Sequence, residues 1–151
     1  MAVIVMEPPD TPDALMLIAE LEGHLVALYP SESRHGYSVE KLLREGVAFF
    51  VMREDGVATG CGGVQLFGTE YGELKRMYVR PQFRGLGLGR FMLNRLADYV
   101  RQQGVGVLRL ETGIYQKEAI ALYEGFGFQR IPPFGAYIDD PLSLFFEKRI
   151  L

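Results

Sequence analysis

The sequence predicts a mixed α/β fold, with one mostly antiparallel central sheet flanked by helices. Three observations carry this reading. Apolar, alternating and helical-period stretches follow one another as strand, two helices, three strands, helix, strand, helix and two strands, which is not the regular alternation of a doubly wound sheet. Two of the strand-like runs are joined by the turn signal Glu54-Asp55-Gly56, the mark of an antiparallel hairpin. A glycine run, Arg84-Gly85-Leu86-Gly87-Leu88-Gly89, stands between a strand and an amphipathic helix. With 151 residues, nearly half of them apolar, and no linker, repeat or low-complexity segment, a single domain over residues 1–151 is expected.

The elements follow in order. Residues 3–6 read as a short strand stopped by Pro8-Pro9. Thr11 or Asp10 then caps a helix with Leu15, Ile18, Leu21, Leu25 and Leu28 at helical spacing, ending near Tyr29-Pro30. After the polar loop "SESRHGYS", Ser38 caps a short helix through Arg44, with Gly46 as its stop. Residues 47–52 and 57–67 form the hairpin, the second strand carrying Gly60, Gly62 and Gly63 as marks of a bulge or a close neighbour. The fourth strand is expected at residues 73–79. A helix with Phe91, Leu93, Leu96, Tyr99 and Val100 follows the glycine run and ends near Gly104; the fifth strand is placed at 105–110, a helix at 116–124, and strands at 128–131 and 142–147.

Charge limits the partners. Sixteen basic and nineteen acidic side chains give a net charge of −3, which argues against a general nucleic-acid binder or a polybasic membrane-surface protein. Six of the basic residues lie between Lys75 and Arg95 with no acidic residue among them, so that stretch is +6 and the remainder −9. A small polyanion is the natural partner of such a patch. Cys61 is the only cysteine, which removes any intramolecular disulfide and any cysteine-rich metal site; no metal is expected. The first residues lack the basic start and long apolar core of a signal peptide, and no apolar run approaches the ~18 residues of a membrane span, so a cytoplasmic protein is expected.

A strand feeding glycines into a helix exposes successive main-chain N–H groups with no intrahelical partner, at the positive end of the helix dipole. Absent Cβ atoms let phosphate oxygens approach, and Arg80, Arg84 and Arg90 add charge. Walker A is excluded, since no Gly-Lys-Ser or Gly-Lys-Thr follows. The dinucleotide fingerprint G-x-G-x-x-G fits from Gly85 except at its third glycine, which is Arg90, with Glu111 at a suitable distance for a ribose. Arg84-x-x-Gly87-x-Gly89 fits without repair.

Here the sequence resembles the GNAT superfamily of N-acetyltransferases, whose signature R/Q-x-x-G-x-G/A is met at residues 84–89. "ELKRMYVRP" resembles that family's fourth strand, and "EAIALYEGFGFQRI", residues 118–131, its later helix and following strand; the first 46 residues fit loosely. The resemblance implies splayed fourth and fifth strands and acetyl-CoA as cosubstrate. Its pyrophosphate would lie on the amides of Arg84, Gly85, Leu86, Gly87, Leu88, Gly89 and Arg90, and its pantetheine arm along Met77, Tyr78 and Val79. Gln116 stands where many relatives have an asparagine. Packing alone is the other reading of Met77 and Val79, compatible with the first.

Tyr123 then becomes the acid that protonates the CoA sulfur, where an amphipathic helix alone would read it as core. Glu73, which period-two alternation puts on one face with Lys75, Met77 and Val79, is the first choice of base, against a solvated edge carboxylate paired with Lys75 or Arg95; Glu111 is the reserve. Arg34, His35 and Tyr37, in the loop where the family builds its acceptor site, are expected to bind substrate, with Tyr29, Phe134 and Tyr137 as aromatic walls, while His24 reads as a packing or surface residue. The expected function is transfer of an acetyl group to a small-molecule amine by direct attack in a ternary complex, with a homodimer as a common state of the family. The acidic balance outside the basic run favours a cationic amine, whereas Arg34 suits a carboxylate. The alternatives are a non-catalytic acyl-CoA-binding module and a nucleotide or NAD-binding domain.

Overall fold

The computed structural model describes residues 1–151 as one seven-stranded sheet of order β1-β2-β3-β4-β5-β7-β6. The elements are β1 (Ala2–Met6), α1 (Pro12–Leu28), α2 (Val39–Arg44), β2 (Ala48–Glu54), β3 (Val57–Phe67), β4 (Tyr71–Val79), α3 (Leu88–Gln102), β5 (Val107–Gly113), α4 (Lys117–Phe126), β6 (Gln129–Ile131) and β7 (Ser143–Arg149). Every adjacent pair is antiparallel except β4 with β5. No helix is long and apolar enough to cross a membrane.

Local chemistry starts and stops these elements where expected. Thr11 caps α1 by accepting from Ala14 N at 3.4 Å, with Pro12 at the first turn, and Ser38 caps α2 by accepting from Lys41 N at 3.2 Å. Asp55 and Gly56, at φ 49° and 82°, make the two-residue turn between β2 and β3. One apolar layer lies between the sheet and α3–α4, built on Phe50, Met92, Leu93, Leu96, Leu108 and Phe146; a second lies under α1–α2, built on Leu17, Ile18, Leu42, Phe49, Val51 and Tyr78.

The boundaries of β5 and β4 need correction. The strand expected at 105–110 runs Val107–Gly113, because Thr112 and Gly113 still pair with Leu144 and Ser143 of β7. The strand expected from residue 73 begins at Tyr71.

The glycines of β3 mark both a close approach and a bulge. A Cβ on Gly60 would stand 2.5 Å from the Tyr78 carbonyl oxygen. The β3–β4 register passes from Cys61↔Tyr78 to Gly63↔Lys75, so β4 carries one extra residue, and Arg76 there has φ 53°. That left-handed conformation costs a non-glycine residue about 1–2 kcal/mol. It is held from outside the strand: Arg76 Nε donates to the Tyr37 carbonyl at 2.8 Å, Nη1 lies 2.7 Å from Glu22, and the Cys61 thiol donates to the Arg76 carbonyl at 3.3 Å. The bulge reverses the faces of β4. Met77 and Val79 pack with Leu74 toward α3, and Tyr78 packs toward α1. Glu73 and Lys75 therefore do not share a face with Met77 and Val79, contrary to unbroken alternation.

Candidate active site

β4 and β5 pair only at Gly72↔Leu108 and Glu73↔Arg109, and beyond that rung they diverge. On the α3–α4 side the opening continues into a cleft lined by Met77, Val79, Arg84, Gly87, Ala119 and Leu122, with Tyr78, Gly85, Leu88, Gly89 and Arg90 on the same wall. Gly85 and Gly87 both have φ 79°, with nothing within 4 Å of where a Cβ would stand. Gly87 is the N-cap of the 15-residue α3 and has no side chain to satisfy the first amides, which leaves them for an anion in the cleft. Gly89 is glycine for another reason: its Cβ would meet Leu122 of α4 at 2.7 Å. The Leu86 side chain is exposed.

The basic run is not one patch. Arg84 and Arg90 line the cleft, Arg84 Nε donating to the Val79 carbonyl at 3.0 Å and Nη1 to Glu118 at 3.2 Å, and Arg90 lying over the Phe126 ring. Arg80 is turned to Glu20 and the Ala58 carbonyl, Arg95 lies over the Phe50 ring, and Arg76 and Lys75 face α1–α2. The bulge and the turn of α3 scatter what the sequence keeps together.

Through the splay the cleft meets an inner chamber on the α1–α2 side, and Met77 and Tyr123 line both. Burial, then the charge of Glu111, push the Tyr123 hydroxyl above its ordinary pKa, so it holds its proton throughout the neutral range. Glu111 lines the same chamber. Burial raises its pKa, against a 2.8 Å hydrogen bond from the Ser143 hydroxyl and the positive potential of His35 and Lys75. Gln116 caps α4; its side-chain oxygen accepts from Gly113 N at 3.2 Å, so its carbonyl closes the β5–α4 turn. At that turn the Tyr29 hydroxyl accepts from Tyr115 N at 2.9 Å and its ring stacks on Tyr115. A Cβ on Gly113 would overlap the Tyr29 ring.

An outer chamber adjoins the inner one, with Arg34, His35, Gly36, Lys75 and Tyr137 common to both. Glu73 opens on this outer side and is no solvated edge group. It is 3% exposed, and its Oε2 accepts from Lys75 Nζ at 2.8 Å and from the Tyr137 hydroxyl at 2.6 Å. Burial lowers the Lys75 pKa, and Glu73 opposes that shift. The Tyr37 ring has Lys75 Nζ 3.9 Å and Lys41 Nζ 4.3 Å from its centre. Arg34 reaches Glu22 at 3.4 Å, and His35 Nε2 lies 3.6 Å from Asp140 with its ring edge-on to Tyr137. Tyr29 and Tyr137 are walls as expected, whereas Phe134 lies behind them, buried between Tyr71 and Phe145. His24 packs edge-on against Tyr78. Lys41, Phe67 and Tyr71, also of the outer chamber, escape a sequence reading; the helical step from Ser38 is the only local signal for Lys41. No group of His, Cys, Asp and Glu is gathered that could hold a metal.

The family model for the acetyltransferase (GNAT) family matches residues 18–128, which span the splay, the glycine turn and Tyr123. This chain belongs to the GNAT acetyltransferase family. It is 45% identical over 147 residues to the IAA acetyltransferase of Azospirillum brasilense, covering 96% of this chain and 95% of that protein. It is 32% identical to the uncharacterized N-acetyltransferase YsnE of Bacillus subtilis, covering 89% and 90%. A crystal structure assigned as an acyl-CoA N-acyltransferase from Klebsiella pneumoniae superposes with a TM-score of 0.85 at 37% identity, covering 100% of this chain and 99% of that one. A GNAT acetyltransferase from Elizabethkingia anophelis, solved with acetyl-CoA bound, shares the fold at a TM-score of 0.72 and 17% identity, covering 98% and 97%. The GNAT chain described here is thus an acyltransferase, with the mostly antiparallel sheet and open β4–β5 edge of that fold.

Proposed function

We propose that this GNAT acetyltransferase moves an acetyl group from acetyl-CoA to a small-molecule amine within a ternary complex. The observation that carries the proposal is the position of Tyr123 at the junction of the two cavities: the cleft opens on the α3–α4 face of the sheet and the chambers on the α1–α2 face, so two substrates fit from opposite sides. The open glycines at 85 and 87, the unsatisfied first turn of α3, and the β4 edge without a ladder partner beyond Glu73 suit the phosphates and amides of acetyl-CoA. Acetyl-CoA supplies an activated acyl carbon and a thiolate leaving group.

The residues then divide the proton work. As the neutral amine forms its bond to the acetyl carbon, Glu111 takes the surplus proton from nitrogen, and Tyr123 gives its own to sulfur as the carbon–sulfur bond breaks. Return of the proton from Glu111 to Tyr123 through water restores both. Glu111 is preferred to Glu73 as base because it lines the chamber that holds Tyr123 and its proton affinity is raised by burial, whereas one oxygen of Glu73 already serves Lys75 and Tyr137. Glu73 is assigned to fixing those two side chains. Titration with acetyl-CoA, CoA and NAD, followed by thiol-release assays across amines, tests the reading. Acetyl-CoA binding and amine-dependent thiol release are expected; binding without turnover would leave only an acyl-CoA-binding module.

A further inference from the structure

We propose that the acceptor carries a carboxylate as well as its amine, as an amino acid with an aromatic or apolar side chain does, and that the outer chamber holds the carboxylate through Arg34, Lys41 and Lys75. This rests on the acetyltransferase reading above and names the substrate class of that site.

The charge balance of the outer chamber carries the argument. Its ionisable lining includes Arg34, His35, Lys41 and Lys75 against the single carboxylate of Glu73, which is committed to Lys75 and Tyr137. The Lys41 ammonium has no carboxylate within ion-pair distance; it rests 4.3 Å from the centre of the Tyr37 ring, which Lys75 also shares. Arg34 makes one 3.4 Å contact with Glu22 through Nη1, and its Nε is buried without a hydrogen-bond partner. His35 Nε2 is likewise buried and unpartnered, with Asp140 at 3.6 Å.

The remaining walls say what the anion is attached to. Tyr37, Phe67, Tyr71 and Tyr137 give the chamber aromatic faces, suited to a flat or apolar body. Because His35, Lys75 and Tyr137 border both chambers, a bound molecule keeps its carboxylate outside while its amine enters beside Glu111 and Tyr123. A polyamine would meet Lys41 with no free carboxylate beside it, since Glu73 is committed to Lys75 and Tyr137.

The test compares matched acceptors with acetyl-CoA at neutral pH: phenylalanine, phenylalaninamide and phenethylamine, then tryptophan and tryptamine, within a panel of the common amino acids and their amines. At least one acid is expected to exceed its amide and amine by about tenfold or more in kcat/KM, the size of one lost charge-assisted contact. Lys41→Met is expected to narrow that ratio by raising KM for the acid, with acetyl-CoA affinity by titration showing that the variant is folded. Amines or amides acetylated as well as the acids would overturn the carboxylate proposal and leave the acetyltransferase reading standing. No acetylation of any member, with acetyl-CoA bound, would overturn both.

Discussion

Glu73 of β4 stands opposite Arg109 of β5 at the last rung the two strands share. Three residues later the extra residue at Arg76 turns the strand, so that Met77 and Val79 beyond it line the cleft. The bulge depends on β3 coming close, and Gly60 makes that approach possible. Gly60→Ala places a methyl group 2.5 Å from the Tyr78 carbonyl, a main-chain atom that cannot step aside. We expect a loss of about 1–3 kcal/mol, read from the urea midpoint.

Tyr123→Phe removes the proposed proton donor and leaves the ring packed against Phe128 and Phe146. Turnover should fall by roughly 10²-fold or more, while the acetyl-CoA dissociation constant changes little. Equal turnover in both proteins would take Tyr123 out of the acid role.

With Glu111 as the proposed base, the reaction has an acid limb. Its pKa in the folded protein lies above the ordinary 4.5, so kcat/KM should rise with pH through that elevated value, and Glu111→Gln should lose this limb along with most of the rate. Stability runs the other way. The folded state binds this proton more tightly than the unfolded chain, so the group's stabilising contribution is complete below about 4.5 and disappears as pH climbs through the folded pKa. Glu111→Gln should therefore melt higher than wild type at pH 8, by a margin that shrinks toward pH 5.

Gly87→Ala meets no neighbour, and its cost is conformational. An alanine at φ 79° is strained by about 1–2 kcal/mol, so the turn relaxes away from the shape offered to a phosphate. We expect acetyl-CoA affinity to weaken about 5–30-fold in titration, with kcat at saturation largely retained.

Lys75→Met strands the Glu73 carboxylate in the interior and should cost about 3–5 kcal/mol. Adding Glu73→Gln should recover most of that loss, since both charges then leave together. A denaturant series on the two single variants and the double measures the coupling.

Much of this was legible in the sequence, and the exceptions share a cause. The caps at Thr11 and Ser38, the Asp55-Gly56 turn and the glycine run at 85–89 each rest on a few consecutive residues whose backbone needs are local. Arg76 gave no such sign: nothing in "ELKRMYVRP" asks for a left-handed residue, which is held by Tyr37, Glu22 and Cys61 from three other parts of the chain. The same distance hid the last residues of β5, which read as loop until β7 pairs with them, and the cluster of Lys41, Lys75 and Tyr137, drawn from three segments onto one chamber. A run of like charges in sequence was the least faithful guide, since a bulged strand and a helix dispersed it over both faces of the sheet.

The contact of Tyr29 with Gly113 ties the end of α1 to the turn from which α4 begins, and α4 carries Tyr123. The helix bordering the inner chamber and the helix bearing Tyr123 are thus mechanically linked. Shifting α1 to widen the inner chamber would therefore move the start of α4, and Tyr123 with it. The 132–142 loop, which brings Tyr137 across the outer rim, is tied to that same turn by the Ile114 N–H donating to the Leu142 carbonyl at 3.0 Å, so a change in either wall is felt where α4 begins.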